Sequence, residues 1–177
     1  MNKRGCAIFC MAVWLAGTIW MAAVATENFF TITRLIEAKA HPQFVADLNK
    51  LGVSEMDFLL KYLSSELNRL FFQVWGLTQI AVGILALWFI GSLPNSGRSK
   101  WMVVSMLGIC LLFAALVTPQ IVSVGRSLDF VVRDPAPPQM RTFGLLHATY
   151  TVLDGIKLIL GAIVTVWLLK RPAESEA

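Results

Sequence analysis

The chain has 177 residues, of which 56% are hydrophobic and only 15% charged, against about 25% charged in ordinary globular domains. A mean hydropathy of +0.67 with so little charge excludes an ordinary water-soluble domain and points to lipid as the solvent. The formal charge of +4 does not point to nucleic acid, because the basic residues are scattered and no aromatic platform interleaves with them.

Lys3 and Arg4 precede the first apolar run, and a membrane span is expected over residues 6–25, since about 20 apolar residues cross a core about 30 Å thick. The basic start, the apolar stretch and Ala23-Val24-Ala25 also resemble a signal peptide with a small-residue cleavage site. The run is long for such a peptide, and Phe29, Phe30, Ile32, Leu35 and Ile36 continue a helical apolar face beyond it. A retained span is therefore expected; cleavage would leave three spans and an extracytoplasmic N-terminus. Cys6 and Cys10 are four apart on one helical face and Cys110 lies in a later apolar run. They read as packing residues, with no geometry for a disulfide and no partners at metal-ligand spacing.

Residues 26–69 are too patterned for a loose loop. Ser54 and Asp57 make an S-x-x-D capping pair. After it Met56, Leu59, Leu60, Leu63, Leu67 and Leu70 recur at helical spacing, with Glu55, Asp57, Lys61, Ser64 and Asn68 opposite. Nothing interrupts this helix before the second span at 70–90, so one continuous helix of about 38 residues, about 57 Å long, is expected. An extension of span one packs against it, with a turn around Ala40-His41-Pro42 and a helical segment before Gly52. The outcome is a helical hairpin standing on the bilayer.

A short basic link at 91–100 leads to the third span at 101–124, and residues 125–148 hold Asp134-Pro135-Ala136-Pro137-Pro138 before the fourth span at 149–169. The proline run disfavours helix, but its last member suits a helix first turn and is expected to start the fourth helix. A tail at 170–177 is expected to be disordered. The fold class is thus an all-α membrane protein, a four-helix bundle in a single domain.

Span four carries the most informative polar residues. His147, Tyr150, Thr151 and Asp154 share one helical face, and Lys157 is placed i+3 from Asp154. Asp154 and Lys157 fall in the outer half of the hydrocarbon layer, where each charge costs about 2.5–3.5 kcal/mol even on gentle insertion scales. Glu27 and Asn28 at the end of span one, and Glu66, Arg69 and Gln73 at the start of span two, are expected to converge with them. The ligand-binding or proton-relay candidates are therefore Glu27, Arg69, Gln73, His147, Tyr150, Asp154 and Lys157. The first reading of this cluster is an ion-pair and hydrogen-bond lock between helices. The alternatives are a ligand pocket or proton relay, and Lys157 snorkelling on its own. His41 lies outside the spans, so His147 has no second histidine for a bis-histidine haem, and no cofactor, metal or catalytic residue is expected. The pairs Ala12 and Ala16, Gly76 and Gly83, and Gly155 and Ala162 are expected to permit close helix packing.

Orientation follows from charge. Lys3 and Arg4, Arg98 and Lys100, and Lys170 and Arg171 flank the spans at sites that an even number of crossings places on one face. Their basic excess makes that face cytoplasmic, with both termini. Residues 26–69 hold five basic and six acidic residues and carry no competing signal.

The segments Glu66-Leu-Asn-Arg-Leu-Phe-Phe-Gln-Val-Trp-Gly76 and Phe143-Gly-Leu-Leu-His147, with the long polar stretch after span one, resemble small four-span proteins carrying a domain of unknown function, similar in layout to the transmembrane protein 205-like group. The resemblance covers most of the chain and implies the four-span fold, but no activity and no catalytic residues. The expected function is that of a non-enzymatic accessory, assembly or structural protein of the cell membrane. Its expected partners are the lipid bilayer and, through the hairpin, a second copy or another membrane protein. The alternative is a small transporter or ligand-binding protein using the cluster around Asp154 and Lys157.

Overall fold

A computed structural model describes residues 2–38 and 41–171. All regular structure among these residues is helical: α1 (Lys3–Ala38), α2 (Pro42–Leu51), α3 (Val53–Gly91), α4 (Gly97–Leu112), α5 (Thr118–Arg126) and α6 (Gln139–Lys170). A π-helical turn, Phe113–Val117, joins α4 to α5, so that Gly97–Arg126 runs on as one rod of 30 residues. Four helices, α1, α3, the α4–α5 rod and α6, are long and apolar enough to cross a membrane.

These four form a bundle in which α1 packs against α3 and α6, and α4 packs against the same two. The main core gathers Ala7, Cys10, Met11, Trp14, Ala86, Ile90, Val103, Met106, Cys110, Val164 and Leu168, all toward the end that carries the basic residues. Close approach there depends on missing side chains. A Cβ on Gly83 would come within 2.6 Å of Trp14 and Leu107, one on Gly161 within 2.7 Å of Leu15, and one on Gly17 within 2.1 Å of Trp75. Of the small-residue positions expected to do this, Gly83 does, whereas Gly76 and Gly155 face open space. The basic end is fastened by long side chains. Arg4 donates through Nε to the Leu168 carbonyl at 2.9 Å and through Nη2 to that of Leu169 at 3.0 Å. Arg171 donates to the carbonyls of Pro94 and Asn95, each at 2.8 Å.

At the opposite end α1 and α3 run on past the bundle as a helical hairpin. The 39 residues of α3 correspond to about 58 Å, well beyond a hydrocarbon layer about 30 Å thick. The amphipathic α2 returns beside α3 with Leu48 buried. His41 caps α2, its Nδ1 accepting from the Gln43 N–H at 3.2 Å, and Gly52 ends it at a φ of 91°, a conformation that suits glycine. The expected turn residue Ala40 and the tail beyond Arg171 lie outside the described residues. Pro138 immediately precedes α6, the place its ring suits.

One local expectation is corrected. The S-x-x-D pair does not cap α3: the helix starts at Val53 behind Gly52 with no side-chain cap, and Asp57 instead pairs with Lys61 at 2.6 Å. The face of α3 that packs is not the leucine face. Ser64, Asn68 and Arg69 are the buried residues of this stretch, while Leu59, Leu63, Leu67 and Leu70 are exposed. The reason is a polar seam with α1. Asn28 donates to Asn68 Oδ1 at 2.6 Å, Asn68 donates to the Ala25 carbonyl at 3.0 Å, and Ser64 donates to the Asn28 carbonyl at 3.0 Å. Buried polar groups must find partners, so these cross-helix bonds fix the packed face of the hairpin.

Candidate functional site

The expected polar cluster exists as two layers rather than one. In the deep layer Lys157 Nζ lies 2.6 Å from Asp154 Oδ1, one turn earlier on α6. The contact is ionic without hydrogen-bond alignment, since that carboxylate oxygen has no hydrogen-bond partner among the described residues. Lys157 is 1% exposed and Gln79 on α3 likewise. The Lys157 ammonium donates to Gln79 Oε1 at 2.5 Å, and Trp14 Nε1 on α1 donates to the same oxygen at 3.4 Å. The Phe113 ring lies 5.6 Å from Nζ, within cation–π range. Tyr150 stacks on Phe113 at 4.1 Å and meets Phe72 edge-on at 5.6 Å. One ammonium thus engages α3, the α4–α5 rod and its own α6, and α1 joins through Trp14 on the shared Gln79 oxygen.

The layer stands deep. At 1.5 Å per residue Lys157 is about 20 Å above Lys170, Gln79 about 18 Å above Gly91, and Trp14 about 15 Å above Arg4, all near the middle of the hydrocarbon. Phe113 opens the π-helical turn. Pro119 lacks an N–H and its ring crowds the carbonyl of the preceding turn, a conflict that a local widening of the helix relieves.

The upper layer lies at the base of the hairpin, about 15 Å above Gln79 on the ten residues back to Arg69. Arg69 is buried and donates to Glu66 at 2.5 Å and to Asp129 at 2.9 Å. Arg126 approaches Glu66 at 3.6 Å. Gly125 lets Phe143 close in, since a Cβ there would sit 3.2 Å from its ring.

Asp154, Lys157 and Tyr150 therefore meet as expected, and Arg69 belongs to the separate upper layer. Glu27 is exposed and pairs with Arg34 on its own helix. Gln73 is exposed. His147 is exposed too, its ring 4.3 Å from Phe143 and Nδ1 3.3 Å from the Phe143 carbonyl. Thr151 donates to the His147 carbonyl at 2.9 Å, so its hydroxyl is satisfied within α6. Convergence of Glu27, Gln73 and His147 on the ion pair is corrected by this arrangement.

Gln79, Trp14, Phe113 and Asp129 are the members that sequence reasoning missed. Gln79 had a legible signal, a lone amide in the apolar run from Val74 to Ile90. Among the described residues no group of three His, Cys, Asp or Glu is placed to hold a metal ion. Two surface cavities flank the layers. One of about 330 Å³ lies at the hairpin between Phe58, Tyr62 and Phe130, with the Tyr62 and Phe130 rings 5.0 Å apart. The other lies at the basic end. Neither is lined by Asp154 or Lys157. Compared with known proteins, the chain matches no protein-family model, no curated protein and no solved structure.

Proposed function

We infer that the protein is a non-catalytic multi-pass protein of the cell membrane that displays its hairpin to another membrane protein, with both termini in the cytoplasm. The deep layer is the lock that holds the display in place. The observation that carries this is the closed state of Lys157, whose charge is spent on Asp154, Gln79 and the Phe113 face without lining either cavity. A closed ion pair suits structure better than turnover. The orientation rests on the basic residues at one end of the bundle, which mark the cytoplasmic face.

The display surface is the unpartnered apolar side of α3. Leu63 stands about 40 Å along the helix from Ile90, above a hydrocarbon layer about 30 Å thick, and is 56% exposed beside Leu59 and Leu67. An apolar surface of this kind outside lipid marks a contact site.

A photo-crosslinking residue at position 63, in native membranes, tests the reading. A discrete protein adduct is expected, absent when the probe is moved to buried position 64 and lost when Leu59→Glu is added. Lipid adducts alone, with the chain well expressed, would contradict it. An adduct of twice the chain mass identifies the partner as a second copy.

A further inference from the structure

We propose that the groove between the α3–α4 turn and the end of α6 binds the phosphate of an anionic phospholipid headgroup. The groove has a volume of about 440 Å³ and is lined by Asn95, Gly97, Arg98, Ser99, Trp167 and Arg171. Among the described residues its charge is unanswered. None of the ion pairs among the described residues involves Arg98 or Arg171, and every described acidic residue lies in the hairpin half or in the deep layer. Arg171 uses two of its five N–H groups on the Pro94 and Asn95 carbonyls. Those bonds hold the guanidinium at the rim with donors to spare.

Two further features point inward at an anion. The α4 N-terminus opens onto the groove through Gly97, Arg98 and Ser99, and Ser96 supplies no side-chain cap, leaving the first amides for an acceptor. Ser99 is 2% exposed, lines the groove, and its hydroxyl makes no hydrogen bond to a described residue. That hydroxyl is open to the groove rather than sealed in the protein, which leaves it placed to donate to a phosphate oxygen there.

The ligand is a lipid because of where the groove sits. Trp88, Trp101 and Trp167 are exposed around this end, and indoles favour the headgroup layer. Basic pockets between spans at that level suit anionic headgroups. The assignment needs only that this end lies at a membrane surface, so it stands apart from the hairpin reading.

The test is thermal stability of the purified full chain in mild detergent, with phosphatidylglycerol, phosphatidylcholine or inorganic phosphate added. Phosphatidylglycerol is expected to raise the melting temperature, with little effect of the other two. R98Q is expected to weaken the apparent lipid affinity about fivefold, the worth of one cation at the surface, and S99A to weaken it as well. Both leave the Arg171 bonds untouched. An equal response to phosphatidylcholine, or an unchanged affinity in R98Q with S99A, overturns the proposal. An equal response to inorganic phosphate overturns the lipid assignment in favour of a soluble anion.

Discussion

Lys157 concentrates the energetics of the bundle. Removing one partner of a buried ion pair leaves the other uncompensated, at a cost of about 3–5 kcal/mol. Lys157→Met is expected to destabilise by that order, and Gln79→Leu by about 1–3 kcal/mol, since it strips an acceptor from both Lys157 and Trp14. Reversible unfolding in bicelles measures both, and equal small effects would remove Lys157 from its central place. Glycines give a sharper contrast. Gly83→Ala places a methyl within 2.6 Å of Trp14 and Leu107 and is expected to cost about 1–3 kcal/mol by overpacking. Gly76→Ala meets nothing within 4 Å and is expected to be neutral or slightly stabilising. Helical spacing alone exposes the pair Asp154–Lys157, because i and i+3 on one helix need no knowledge of neighbours. Gln79 and Trp14 depend on how three helices face one another, which no local pattern encodes.

At the scale of elements, α3 shows that the spacing can reveal a helix without revealing which face it packs. Its length and continuity follow from uninterrupted spacing and from the absence of proline over 53–91. Which side packs is decided by Asn28, Ser64 and Asn68 bonding across to α1, and the leucines are left on the outer side. Asn68→Leu is therefore expected to cost about 1–3 kcal/mol, while Leu63→Glu leaves stability unchanged. Cysteine replacements give an independent readout: position 63 reacts rapidly with a membrane-impermeant maleimide and position 64 slowly. Slow reaction at 63 with fast reaction at 64 would place the leucine face inward after all. Pro119 carried a legible signal as well, a proline late in an apolar run, but the π-helical turn that answers it and the aiming of Phe113 at Lys157 are tertiary consequences.

Across the whole molecule, the bundle is polarised. Basic side chains gather at one end and tie it together through Arg4 and Arg171. Acidic and mixed charge gathers around the hairpin, and a single ion-paired layer sits between. The span count and the basic residues were legible because each is a property of composition along the chain. The division of the polar residues into two layers was not, since equal depth in sequence does not put Glu27, Gln73 and His147 on facing sides. The central claim is that the deep layer is a packed structural contact that performs no chemistry. Asp154→Leu combined with Lys157→Met tests it most directly, because apolar replacement of a whole buried pair is often neutral or stabilising. The account predicts a double variant as resistant to unfolding as the wild type that still gives the position-63 crosslink. A variant that folds and inserts normally yet loses that crosslink would contradict it.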